Sequence, residues 1–175
     1  MTFKRCLLAL ASLAFAAACA AQGTPSKFDP SRDPAKDVAA AVAEARAQGK
    51  RVIVDVGGEW CVWCHILDRY FDDNADARAL RDRNYVWVKV NWSKENKNEA
   101  FLSRWPAAKG YPHLFVLDAD GKLVQSQDTG VLESGKGYDH AKVIDFLTKW
   151  APAPRRQAAA RAPIARAPAP APMGG

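Results

Sequence analysis

The sequence predicts one α/β domain with a central mixed β-sheet and helices on both faces. Three observations carry this. Residues 51–56 (RVIVDV) are apolar almost throughout, as in a strand covered on both sides. Segments of helical pattern separate that strand from the next, which implies a crossover connection. Near the end, Asp118-Ala-Asp-Gly121 is a turn signal between two short strands and adds antiparallel pairing.

Each element has its own reason. Residues 21–32 read as a polar linker. Asp33-Pro34 is a helix start, with Asp as N-cap and Pro in the first helical position. An Ala-rich helix then runs to Gln48, and Gly49 is a natural stop. The strand 51–56 is broken by Gly57-Gly58. A helix should begin at Cys61 and reach about Phe71, with a second helical piece over 74–83. Residues 85–91 alternate as a strand does, and 93–104 are polar and partly helical. Strands at 113–117 and 123–127 flank the turn. The last helix, 139–150, puts Val143, Ile144, Leu147 and Trp150 on one face. The order is αβααβαββα within a domain of 33–150, enough for one core.

The termini are of another kind. Lys4 and Arg5 precede an apolar run over 6–18 and a small-residue site, Ala18-Cys19-Ala20. This is the pattern of an export signal over 1–20 and implies a periplasmic or secreted protein. The run is too short and Ala-rich to make a good membrane-spanning helix. Ala16-Ala17-Ala18-Cys19 also resembles a bacterial lipobox, with Ala16 where Leu is usual. On that reading Cys19 is lipidated and anchors the protein to a membrane. Residues 151–175 hold ten Ala and six Pro without periodicity, so a disordered tail is expected. It reads as inert or, through its arginines, as a basic tether to an anionic surface.

The formal charge is +6. Lys4 and Arg5 lie in the leader and Arg155, Arg156, Arg161 and Arg166 in the tail, leaving the domain neutral. It has no basic patch interleaved with aromatics, and no nucleic-acid partner is expected.

Of the four cysteines, Cys6 leaves with the leader and Cys19 is removed or blocked. Cys61 and Cys64 remain, in Cys61-Val62-Trp63-Cys64-His65. C-x-x-C is a redox dithiol, and C-x-x-C-H is also a c-type haem attachment site. A disulfide between residues this close barely constrains the unfolded chain, so it suits a switch better than a staple. The flanks favour the dithiol. An apolar strand ends in Trp60 just before the motif, and Gly110-Tyr111-Pro112-His113 leads into a later strand.

That arrangement resembles the thioredoxin family over roughly residues 35–150, and implies a thioredoxin-like fold with Cys61–Cys64 as its redox disulfide. Cys61 should sit at a helix N-terminus, where free amides and the helix dipole favour a thiolate. Cys64, one turn on, would resolve the mixed disulfide. By matching position, the resemblance gives Asp55 the proton transfer to and from Cys64, with Lys89 as its partner. A carboxylate in an apolar strand is costly unless paired or at work. Pro112 matches the family's cis-proline, which would present Tyr111 to a bound peptide. Trp60, Trp63, Tyr111, Pro112 and His113 are the candidate substrate-binding residues. Val-Trp replaces the family's Gly-Pro between the cysteines, His65 stands where Lys is frequent, and His113 where Thr is common. Trp-Cys-x-Trp-Cys is similar to a subgroup of exported proteins that includes reductase domains of thiol–disulfide interchange proteins. The resemblance implies a thiol–disulfide oxidoreductase acting on protein disulfides or dithiols, with a membrane-bound electron donor or acceptor and no cofactor.

Two readings compete. A binding or chaperone-like module would keep the fold without the chemistry. A c-type haem would need His65 and a second axial ligand, yet the two methionines are Met1 and Met173, and neither His113 nor His140 sits in a supporting motif. Two cysteines and His65 on one turn are also poorly disposed for structural zinc.

Intact mass of the protein from its native host should show residues 1 to about 20 missing. A lipid at Cys19 would appear as added mass that Cys19→Ser abolishes. An intact Met1 in a cytosolic fraction would overturn the export reading.

Overall fold

The computed structural model describes residues 26–153. The leader, Cys19 and residues 154–175 of the tail lie outside them. Helix α1 (Pro34–Gln48) starts as its sequence dictates. Asp33 accepts hydrogen bonds from the amides of Ala35 and Lys36, and Gly49 ends the helix in the left-handed region at φ 69°. Strand β1 (Arg51–Gly57) follows, then α2 (Val62–Asp73) and α3 (Ala75–Asn84), which carry the chain back to β2 (Tyr85–Asn91). After the short α4 (Glu99–Leu102) come β3 (His113–Leu117), β4 (Leu123–Asp128), the ribbon β5 (Glu133–Ser134) and β6 (Gly137–Tyr138), and α5 (His140–Lys149).

The four-stranded sheet has the order β2-β1-β3-β4. β1 pairs in parallel with β2 and antiparallel with β3, which pairs antiparallel with β4. β1 is therefore interior and needs apolar residues on both faces. Val52, Val54, Val56, Val88, Val90 and Phe115 pack beneath α1 and α4. Ile53, Leu114 and Val116 pack with Leu67 and Phe71 of α2 and with Val143, Phe146 and Leu147 of α5.

Three details differ from the sequence reading. On α5, Phe146 joins Val143 and Leu147 as buried, whereas Ile144 and Trp150 are only partly covered. The segment 129–138 holds a 3₁₀ turn (Thr129–Leu132) and the β5–β6 ribbon, where no element was expected. It is too short and irregular to carry a period. The expected linker 21–32 is folded in its described part, with Phe28 deep in the structure.

The site depends on a close approach at the end of β1. A Cβ on Gly57 would overlap Cys64 Sγ, and it would stand 3.1 Å from the Phe28 ring. The Cys64 sulfur is held in a disulfide and cannot swing aside. Gly57→Ala should therefore cost about 1–3 kcal/mol of stability by overpacking, read as a lower urea midpoint. Gly110→Ala, where a Cβ meets nothing within 4 Å, should stay within about 0.5 kcal/mol of wild type. Equal midpoints for the two variants would refute the close-packing account.

Candidate active site

Gly57-Gly58 ends β1, and the chain turns into α2 with Cys61 as N-cap. The Cys61 amide donates to the Gly58 carbonyl (2.9 Å), and the Cys64 amide donates to Cys61 Sγ (3.1 Å). The Cys61 sulfur thus takes the place of a capping side-chain oxygen, in reach of the amides that α2 leaves unpaired. Cys61 and Cys64 form a disulfide with a Cα–Cα distance of 5.2 Å. Cys61 is buried together with Cys64. It is only 3% exposed, packed with Cys64 and Phe28 and flanked by Trp63 and Tyr111.

Below the sulfurs lies a buried charge cluster. Asp55 (1% exposed) projects from the same face of β1 as Gly57, two residues away. Lys89 stands opposite it in the parallel register of β1 and β2. Lys89 Nζ is 3.2 Å from Asp55 Oδ2 and 2.8 Å from Asp68 Oδ1. Trp87 Nε1 also donates to Asp55 Oδ2, at 3.1 Å, while the buried Asp55 Oδ1 has no hydrogen-bond partner. Burial pushes the Asp55 carboxyl above its ordinary value. Lys89 opposes that, Asp68 reinforces it, and the net direction is up. Burial alone would discharge Lys89, but attraction to Asp55 and Asp68 outweighs it and raises its pKa. The ammonium is therefore the fixed charge, and the Asp55 proton is the tunable one. Asp68 was not anticipated. Its signal was its position on α2, four residues after Cys64 and on the same helical face.

Aromatic rings frame the sulfurs. Trp60 stands 54% exposed, its Nε1 donating to the Trp92 carbonyl (2.8 Å). Trp92 and Tyr111 stack with centroids 4.6 Å apart, and Trp60 meets both edge-on. Trp63 packs edge-on against Tyr138 of the ribbon (5.9 Å). The Tyr111–Pro112 peptide bond is cis, and the Pro112 carbonyl accepts from Thr129 Oγ1 at 2.6 Å. The unforeseen 129–138 segment thus supports the site at two points.

The two histidines are placed differently. His65 is partly exposed and donates from Nε2 to the Glu59 carbonyl (2.9 Å). His113 does not sit where a substrate contact needs it. It is 3% exposed, with Nε2 hydrogen-bonded to Ser126 Oγ (2.8 Å) and its ring against Phe115, on the sheet face opposite Asp55. Burial lowers its pKa and so favours the neutral ring, against the opposing pull of Asp128. The alternation of side chains along β3 explains this, since a residue paired with Val56 must share its face. Among the described residues, no group of three or more His, Cys, Asp or Glu is arranged to hold a metal ion.

Comparison with known proteins follows the same lines. Residues 33–119 match the family described as thioredoxin-like. The thiol:disulfide interchange protein DsbD of Pseudoalteromonas atlantica is 31% identical over 102 residues, 57% of this chain and 17% of that protein. The chain spans about a sixth of the length of the curated relatives it matches, between 15% and 18%. The disulphide isomerase from Xylella fastidiosa Temecula1 superposes with a TM-score of 0.61 at 24% identity, covering 73% of this chain and 97% of that one. The oxidised DsbD c-terminal domain of Neisseria meningitidis gives a TM-score of 0.54 at 19% identity, covering 71% and 99%. These two likenesses speak to the fold.

The upward displacement of Asp55 has a signed consequence. The native state binds this proton more tightly than the unfolded chain, whose value is near 3.8. The associated stability is fully present below that pH and is lost as pH rises through the raised native value. Asp55→Asn removes the loss. At pH 7 it should unfold at higher urea than wild type, and the gap should close below about pH 4. A variant less stable than wild type at both pH values would show instead that Lys89 holds the carboxylate ionised.

Proposed function

This chain belongs to the thioredoxin-like family, and on that premise we propose that it is an exported thiol–disulfide oxidoreductase exchanging electrons with protein disulfides through Cys61 and Cys64. The supporting observation is the position of the Cys61 sulfur, which accepts the Cys64 amide at the start of α2 (3.1 Å). A thiolate there gains a charge-assisted hydrogen bond and the positive end of the helix dipole. That lowers the cost of the reactive form.

The exchange runs in two steps. Cys61 thiolate attacks one sulfur of a substrate disulfide, forms a mixed disulfide and expels the other substrate sulfur as thiolate. Cys64 gives its proton to the Asp55 carboxylate, attacks Cys61 Sγ and expels the second substrate sulfur. Two electrons pass to the substrate, and Cys61–Cys64 becomes the disulfide. The same steps in reverse oxidise a dithiol. Lys89 holds Asp55 in place, and Trp60, Trp63, Tyr111 and Pro112 form the rim that meets the substrate chain. His113, buried on the other face, is withdrawn from that rim.

The relatives named thiol:disulfide interchange proteins support disulfide exchange as the chemistry, and the membrane-bound electron donor or acceptor is the partner that the sequence resemblance implies. Export rests on the leader over 1–20, with Cys19 as the point of attachment if the lipobox is used. The working domain is then 33–150, preceded by the 21–32 segment and followed by the 151–175 tail. A binding module without redox chemistry is the weaker reading, because it leaves the capped Cys61 sulfur and the buried Asp55 without a purpose.

Trapping separates the roles. Cys64→Ser should accumulate mixed disulfides with substrate proteins, and Cys61→Ser almost none. Insulin reduction with dithiothreitol should fall in both to the uncatalysed rate. Asp55→Asn should still trap through the Cys64→Ser background but turn over more slowly above neutral pH. Equal trapping by the two cysteine variants would refute the assigned roles. Full activity in both would leave the binding module in place of the enzyme.

A further inference from the structure

The segment ahead of α1 contains one residue that its polar surroundings do not explain. Phe28 is 2% exposed, between neighbours that face solvent. Its ring packs with Cys61 and Cys64 rather than with either large apolar core. It also lies under the Lys89 ammonium, with Nζ 4.1 Å from the ring centroid. Two hydrogen bonds tie the segment down on either side. The Phe28 amide donates to Glu59 Oε1 (2.9 Å), two residues before Cys61, and the Pro30 carbonyl accepts from Asn96 Nδ2 (2.8 Å), in the loop after β2.

An anchoring residue of a linker would need only apolar neighbours. Phe28 instead covers a sulfur pair on one side and offers its π face to a desolvated cation on the other. A cation–π contact gains strength where water is excluded, and it holds the ammonium without competing for the carboxylate oxygens. Removing the ring would open both the Lys89 ammonium and the Cys64 sulfur to solvent.

We propose that Phe28 is a positioning residue of the redox site, a strap whose ring closes the solvent side of Cys64 and the Asp55–Lys89 pair so that the resolving thiol works in a dry pocket. Its effect on turnover rests on the oxidoreductase reading. The shielding of Cys64 does not. Asp55 is held above its ordinary value mainly by burial, so admitting water should bring it down and let it accept the Cys64 proton at lower pH.

The test uses the full chain, reduced, in the Cys61→Ser background, where Ser still caps α2. Alkylation of Cys64 by iodoacetamide is followed by mass spectrometry of its peptide. Phe28→Ala should raise the rate by about tenfold or more, since thiol reactivity follows access. Phe28→Leu, which covers the sulfur but offers no π face, should stay near the parent rate. Glu59→Ala, which releases one tether from outside the pocket, should fall between, and it carries the test if Phe28→Ala does not fold. With both cysteines present, the acidic limb of the insulin-turnover profile should move to lower pH in Phe28→Ala and stay in place in a destabilised control on the other face of the sheet, such as Val38→Ala of α1. Alkylation within about twofold of the parent in a folded Phe28→Ala or Glu59→Ala variant would overturn the proposal. So would a rise matched by faster amide exchange throughout the domain, which would mark general loosening. No turnover together with a shielded Cys64 would refute the oxidoreductase reading alone. Turnover with alkylation indifferent to Phe28 would refute the strap alone.

Discussion

Asp55 and Lys89 face one another across the parallel pair β1–β2, ammonium 3.2 Å from carboxylate, in a layer that is otherwise apolar. An uncompensated charge there would cost several kcal/mol, and pairing offsets only part of that. Much else is arranged around this constraint. The parallel register must bring residue 89 beside residue 55, which requires a crossover long enough to return the chain. α2 and α3 supply it. α2 also brings Asp68 to the second side of the ammonium, so the helix that carries the cysteines is tied to the cluster beneath them.

The cluster and the disulfide meet at Gly57. Without a side chain there, the Cys64 sulfur can rest against the strand that holds Asp55. With one, the helix would have to stand off and the Cys64 sulfur would lose its place. The pair of glycines after β1 therefore serves both as a strand break and as the seat of the sulfur. Cys61 needs no such concession, because an N-cap is by nature the first residue to face unpaired amides.

What covers the sulfurs comes from elsewhere in the chain. Phe28 arrives from ahead of the first helix, Tyr111 from the loop before β3, and Tyr138 reaches Trp63 from the ribbon before α5. These segments are short, and Tyr111 and Tyr138 also pack against the main cores on the two faces of the sheet. They are held by a few specific anchors: Glu59 and Asn96 on the Phe28 segment, and Thr129 and Trp92 on Tyr111–Pro112. Side chains on short connecting segments can adjust while the strand and helix beneath stay fixed.

The sequence by itself determined the strands and helices that carry a period or a cap. Asp33 and Gly49 bound α1, apolar continuity marks β1, and the Asp118–Gly121 turn joins β3 to β4. It also located the cysteine pair, and the thioredoxin resemblance pointed to Asp55 and Lys89 beneath it. Only tertiary structure decided what those local signals do not encode. Phe28 reads as an isolated aromatic in a polar stretch, because the surface it buries lies more than thirty residues away. Asp68 reads as an ordinary helix carboxylate until β2 brings Lys89 beside it. His113 follows the proline in sequence but turns to the opposite layer, because alternation along β3 and pairing with Val56 assign its face. Periodicity and capping are local and legible. Which distant side chain closes over a buried sulfur or ammonium is set by packing across the sheet, and no window of sequence contains it.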